Sequence, residues 1–225
     1  MRAPISVIIP TLNSEHDLPG CLGGLMEGVE AGLIRELIVS DGGSDDATGA
    51  IAQAWGAEVI HGEASRGGQL KRGCAQAAGD WLLVLHSDTV LQKGWAAQVQ
   101  AHLAHPDRAA YFRLSFDRKG FAARTVAGWA NLRSRFGLPY GDQALLIATP
   151  LYTQVGGYPD QPLMEDVSIA RALKGKLVEL DAVAQTSAEK YVRQGWIRRG
   201  LRNLSTLIRY FAGADVTALA ARYRR

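Results

Sequence analysis

The sequence predicts an α/β fold: a mixed, mainly parallel sheet flanked by helices, ending in a basic helical tail. Three observations carry that expectation. Short runs rich in β-branched residues alternate with helical stretches. The runs are apolar almost throughout instead of alternating in polarity, as strands covered on both faces are. Cations gather at one end: residues 190–225 hold nine Lys/Arg against Asp215 alone, so this segment carries +8 and the remainder −5 of a net +3.

In chain order, 5–9, 37–39, 58–60 and 81–85 read as strands, and 17–28, 46–55 and 67–78 as the helices between them. Beyond Gly94 the pattern loosens into a helix at 95–105, a strand at 111–116, a helix at 124–136, a strand at 143–147, a helix at 165–174, a strand at 177–180 and a helical tail from about Gln194. Neither a repeat nor a linker divides the 225 residues, and the 47% hydrophobic, 21% charged composition is that of an ordinary globular chain. One domain is expected. It is expected to divide into a first half covering 1–94, a second half covering 95–190 and an amphipathic tail over 191–225.

Cys21 and Cys74 lack a CxxC partner, which argues against a disulfide framework or structural zinc and for a reducing compartment. The apolar stretch at the start is short for a signal peptide, and no run approaches a membrane span, so a cytoplasmic protein is expected. The basic tail comes without a nucleic-acid recognition motif, which leaves phosphates of a small ligand or an anionic membrane as its partners.

Open parallel sheets bind ligands past the carboxyl ends of their strands. Here those places read Pro10-Thr11-Leu12-Asn13, Asp41-Gly42-Gly43-Ser44-Asp45-Asp46 and His86-Ser87-Asp88-Thr89. Between the last two, Arg66-Gly67-Gly68-Gln69-Leu70-Lys71 opens a helix whose free N–H groups suit an anion. The layout fits a nucleoside diphosphate, its base and ribose meeting Asp41 and its phosphates a metal held by Asp88. GxGxxG and GxxxxGK[ST] are both missing, which weakens dehydrogenase and P-loop readings. Asp45 as a helix cap and Arg66 and Lys71 as solvated cations are the bland alternatives.

Ser6–Asn13, Ser40–Asp46, Leu85–Thr89 and Met164-Glu165-Asp166, in this order, resemble glycosyltransferase family 2, the inverting GT-A type. With Tyr140-Gly141-Asp142-Gln143 and Gln161–Asp166 the chain most resembles the bacterial radical-SAM/selenodomain-associated subgroup. The resemblance implies a Rossmann-like GT-A fold and a nucleotide-sugar donor, UDP-linked, with Mg2+ or Mn2+. It assigns Pro10, Thr11, Asn13, Asp41 and Ser87 to the nucleotide-sugar, Asp88 to the metal and Asp166 to general-base catalysis. Arg66, Lys71 and Arg193 are expected at the diphosphate, and Tyr140, Asp142 and Glu165 near the acceptor. His86 stands where relatives carry the first acid of DxD, so it either ligates the metal or is a hydrogen-bonded strand-end histidine.

The tail repeats Ile197, Leu201, Leu204, Ile208 and Phe211 at spacings that make one apolar stripe on a helix. The expectation is that this stripe packs onto the body of the domain, where a small protein gains core. The alternative lays it on an anionic membrane, peripheral at the inner membrane, near a lipid-linked acceptor. The acceptor itself, small molecule or lipid, is not specified by the sequence. The competing functions are a sugar-nucleotide pyrophosphorylase and a catalytically silent nucleotide-binding scaffold.

Overall fold

The computed structural model describes residues 2–224, with side chains through Tyr223, so the tail cations Arg224 and Arg225 lie outside the described side chains. Elements follow in the order β1 (Ile5–Thr11), α1 (Leu18–Gly24), α2 (Met26–Glu30), β2 (Ile34–Asp41), α3 (Thr48–Ala54), β3 (Glu58–His61), α4 (Arg66–Gln76), β4 (Trp81–Val84) and β5 (Thr89–Leu91). The chain continues through α5 (Trp95–His102), β6 (Ala109–Phe116), α6 (Phe121–Arg135), β7 (Leu145–Ala148), α7 (Thr149–Gln154), α8 (Glu165–Ala172) and β8 (Leu177–Thr186). It ends in α9 (Glu189–Gln194), α10 (Trp196–Phe211) and α11 (Val216–Arg224).

All eight strands form one sheet, ordered β3-β2-β1-β4-β7-β6-β8-β5. β1 to β4 are parallel neighbours, and the central pair β1 and β4 carries the unbroken apolar runs of strands covered on both faces. β7 then pairs antiparallel with β4, matching Trp81 to Ala148, and β5 pairs antiparallel with β8, matching Thr89 to Thr186. The antiparallel seam is what brings the chain after β4 and the chain before β7 to one edge of the sheet. β1 and β4 are buried on both faces, and each fully buried Ile, Leu or Val there contributes about 1.5–3 kcal/mol. Ser6 is tolerated in this core because its hydroxyl donates to Glu36 and accepts from the Gly79 N–H at 2.8 Å.

The expected elements are present with shifted bounds, and two short ones, β5 and α7, had no counterpart in the sequence reading. The predicted 17–28 helix breaks at Leu25, and the tail is three helices instead of one, interrupted at Gly195 and Gly213, both at φ 82°. The strand expected at 177–180 runs on to Thr186.

The stripe does not pack as expected. Ile197 is 79% exposed, Leu201 61% and Ile208 59%, and α10 turns Thr206 and Leu207 inward instead. α6 shows the same inversion: Ala123, Ala127 and Ala130 pack on Phe116, Tyr191 and Trp196, leaving Phe121, Trp129, Leu132 and Phe136 outside. Small residues let the helices sit close, so the large ones are displaced outward.

Candidate functional site

The loop after β2 is built on Asp41, which is 2% exposed. Its Oδ1 accepts from the hydroxyls of Thr11 (2.9 Å) and Ser44 (2.5 Å), and its Oδ2 from the N–H groups of Gly43 (2.9 Å) and Ser44 (2.8 Å). Burial raises its pKa, but these four bonds outweigh it and leave the carboxyl below the usual carboxylate range. Asn13, in the left-handed region at φ 50°, ties the first loop to the second: its N–H donates to Ser44 Oγ and its Oδ1 accepts from the Asp45 N–H. Gln69 of α4 donates to the carbonyls of both Thr11 and Ser40.

Above this frame lies a cleft of about 420 Å3 lined by Pro10, Thr11, Asn13, Ser87, Asp88 and Arg66 together with Lys190 and Tyr223. It adjoins a smaller cavity of about 120 Å3 that shares Arg66, His86, Asp88 and Lys190 and adds Tyr140, Asp142 and Asp166. Arg66 sits at their junction. Its guanidinium lies 3.0 and 3.2 Å from the two ring nitrogens of His86 and 3.4 Å from Glu165 Oε1. Burial, and then Arg66, push His86 down to about 3, so the ring is neutral. Lys190 Nζ reaches Asp88 Oδ2 at 3.2 Å. Burial works against the Asp88 carboxylate, but Lys190, by its charge and its hydrogen bond, and Arg66 hold its pKa below the ordinary value.

On the facing wall, Met164 at φ 64° turns the chain into α8 and sets Glu165 and Asp166 on its first turn. Asp166 Oδ2 accepts from the Gly141 N–H at 3.0 Å and Oδ1 from Val167 at 2.7 Å. Gly141 itself has no room for a side chain, since a Cβ there would run into the His86 ring. Asp142 is pushed up to about 6 by burial and by Asp166 and Asp88, against Arg133 and Arg66. Glu165, 1% exposed, is pushed up to about 7 by burial and by Asp166, with Arg66 opposing. Arg133 covers the Tyr140 ring at 3.3 Å from its centroid.

The residues expected around the donor thus converge, with three exceptions. Asp41 lies below the cleft and spends its oxygens on the turn; among the described residues it is not part of either lining. Lys71 is exposed on α4, away from both cavities, because five residues separate it from Arg66, about 140° around the helix. Arg193 is exposed at the last turn of α9, outside both linings, and Lys190 takes the place expected for it. Glu165 lies behind the smaller cavity, reaching it through Arg66. Sequence reasoning missed Lys190, Tyr191, Arg199, Asn203 and Tyr223, which the tail delivers to the cavity wall. Lys190 had a signal: like Asp41 and Asp88 it follows the carboxyl end of a strand, once β8 is carried to Thr186.

As a metal site this donor set is sparse. Among the described residues no group of three or more His, Cys, Asp or Glu is placed to hold an ion. His86 faces Arg66, and Asp88 and Asp17 are the carboxylates that line the cleft. Magnesium-like ions commonly take one or two carboxylates and fill the shell with substrate phosphates and water, and the residues fit that mode alone.

Residues 6–155 match the model of the family described as Glycosyl transferase family 2. A PGL/p-HBAD biosynthesis glycosyltransferase of Mycobacterium bovis is 37% identical over 99 residues, 40% of this chain and 38% of its own. Glucosyl-3-phosphoglycerate synthase of Mycolicibacterium smegmatis is 35% identical over 98 residues, 38% of this chain and 31% of its own. The chain therefore spans well under half the length of these curated relatives. Among solved structures, S. aureus TarS residues 1–349 superposes with a TM-score of 0.63 at 18% identity, covering 91% of this chain and 64% of that one. The Mycobacterium tuberculosis glucosyl-3-phosphoglycerate synthase bound to Mn2+ and UDP-glucose gives 0.57 at 22%, covering 82% and 69%. At these identities the structural likeness shows the GT-A fold.

Proposed function

Since the chain belongs to glycosyl transferase family 2, we propose that it moves a sugar from a UDP-linked donor to an acceptor hydroxyl with inversion. The observation that carries this reading is a single cavity lined by the carboxylate of Asp166 together with Arg66, Lys190 and Asp88. In the proposed step Asp166 takes the proton of the acceptor hydroxyl as its oxygen bonds to the anomeric carbon. The bond from that carbon to the diphosphate breaks, and its electron pair leaves with the phosphate oxygen. Arg66 and Lys190 meet that developing charge. The frame of Pro10, Thr11, Asn13 and Ser87 takes the nucleotide, with Asp41 as the residue that holds the frame in shape. Tyr140 and Asp142 border the acceptor space.

The donor class is supported by the relatives whose structures hold UDP-GlcNAc or UDP-glucose. Mg2+ or Mn2+ belongs to the same reading, since a relative's structure contains Mn2+. Asp88 would hold it, and the ion would supply charge neutralisation at the leaving diphosphate. Lys190 already pairs with that carboxylate, so an ion held there would compete with the ammonium for its charge. The finer likeness to the radical-SAM/selenodomain-associated subgroup is supported by the fact that Tyr140–Asp142 and Leu163–Asp166 meet at one cavity. A cytoplasmic enzyme, peripheral at the inner membrane, completes the proposal.

The test combines UDP release from a panel of UDP-sugars and hydroxyl acceptors with calorimetry of UDP. Wild-type protein is expected to bind UDP more tightly with Mn2+, Asp88→Ala to lose that gain, and Lys190→Ala to enlarge it. Pyrophosphate-dependent formation of UTP from UDP-sugar would replace the transferase reading with a pyrophosphorylase.

A further inference from the structure

Ten of the fourteen large apolar side chains exposed among the described residues lie on or beside two neighbouring helical segments, α6 and α9–α10. On α6 they are Phe121, Trp129, Leu132 and Phe136, which fall within about 80° of one another around the helix. On α10 the stripe from Ile197 to Phe211 spans a similar arc. α10 packs against α6, and Phe121 and Val192 line one surface groove with Arg118 and Lys119, so the apolar surface continues from one segment to the other.

The same segments are one-sided in charge. Residues 118–141 contain five Lys/Arg and no acid, and residues 190–214 six and no acid. Arg198, Arg202 and Arg209 run along one flank of the α10 stripe. Apolar faces bordered by cations suit a partner that offers hydrocarbon beneath anionic groups. A second copy of this chain offers the opposite: the face would meet its own cations with no acid to pair them. Among the described residues no helix is long and apolar enough to cross a membrane, so the helices would lie on the surface.

We propose that α6 and α10 together form a docking face for an anionic lipid bilayer, and that the acceptor hydroxyl reaches Asp166 from that bilayer. The second part rests on the transferase reading. The cavity wall contributed by Lys190, Tyr191, Arg199 and Asn203 belongs to the same helices that carry the face, so the reaction space opens at its edge.

The experiment uses the full chain and co-sedimentation with vesicles of phosphatidylcholine, with and without phosphatidylglycerol. Binding is expected to the anionic vesicles at low salt and to fall away by about 0.3 M salt, where screening shortens to a few ångströms. Two paired variants separate the helices: Phe121→Ser with Phe136→Ser, and Ile197→Ser with Ile208→Ser. Each pair is expected to lower the bound fraction roughly fivefold or more, because each removes two large side chains from the buried face, while UDP binding by calorimetry stays at the wild-type value. Brominated lipid should quench wild-type tryptophan fluorescence and quench Trp129→Phe less. If the α6 pair binds like wild type while the α10 pair does not, the tail docks alone and the two-helix face is wrong. Absent vesicle binding at low salt, with UDP binding intact, overturns the docking face and leaves the transferase reading standing. Vesicle binding without UDP binding does the reverse. A dimer in light scattering that dissociates in the variants, with vesicles unbound, would show that a second copy covers the face.

Discussion

The buried carboxylate beneath the larger cleft and those at or behind the smaller cavity are held in opposite ways. Beneath the cleft Asp41 is buried and receives four hydrogen bonds from its own chain. At the smaller cavity, among the described residues, no donor hydrogen-bonds Asp142 Oδ1 or either oxygen of Glu165, and both groups are raised to about 6 and about 7 by burial. A satisfied buried carboxylate stabilises a fold, whereas an unsatisfied one costs free energy that folding alone does not recover. Asp41 therefore acts as frame, while the raised carboxyls of Asp142 and Glu165 beside Asp166 mark the region to which the proposed function assigns the chemistry.

The largest effect should come from the smaller cavity. Asp166→Asn keeps the bonds from Gly141 and Val167 within reach of a similar side chain but removes the proton acceptor, so turnover should fall roughly 100- to 10,000-fold while UDP affinity is retained. Steady-state UDP release with parallel calorimetry measures both; joint loss of binding and folding would make Asp166 a structural residue and break the contrast. Next in size, Asp41→Ala should destabilise the protein by about 2–3 kcal/mol, since its removal strands two hydroxyls and two N–H groups. Urea unfolding reads this directly, and a neutral result would remove Asp41 from the frame.

The smallest effect has the opposite sign. Asp142 in the folded chain titrates at about 6 against an ordinary value of 3.8, so the folded state binds the proton more tightly than the unfolded one. The burial cost is thus absent at low pH, where both states are protonated, and grows as pH rises through the folded value. Asp142→Asn should leave Tm unchanged below about pH 4 and raise it modestly at pH 8. A lowered Tm at pH 8 would mean that Arg133 and Arg66 more than compensate the buried charge.

What could be read from the sequence was what lies along one strand and its following turn. Thr11, Asp41 and Asp88 are legible because apolar runs mark β1, β2 and β4, and the site is built at or just past their carboxyl ends. Lys71 was misplaced for want of a helical phase argument that Arg66 already supplied. The contribution of the tail was hidden for a different reason. Arg199 and Tyr223 reach the cavity through helix packing, and no local pattern encodes which helix packs where, whereas Lys190 was hidden because the strand before it runs on past its predicted end. The outward-facing stripe of Ile197 broke the rule that a stripe seeks the core, because α10 turns Thr206 and Leu207 inward, just as α6 buries Ala123, Ala127 and Ala130 and leaves Phe121 outside.

The strand pairing described above also sets a timetable for synthesis. The β4 strand gains its second neighbour only when Ala148 has left the ribosome, and Thr89 stays unpaired until Thr186 arrives. The N–H of Ser187 then closes on the carbonyl of Asp88, and Lys190 follows within one turn. The nascent chain can thus assemble the parallel core early, from neighbours close in sequence, whereas the cavity lining of Asp88 and Lys190 waits for pairings of long sequence separation, which form slowly. A nucleotide can stabilise only the finished fold and cannot guide its first steps.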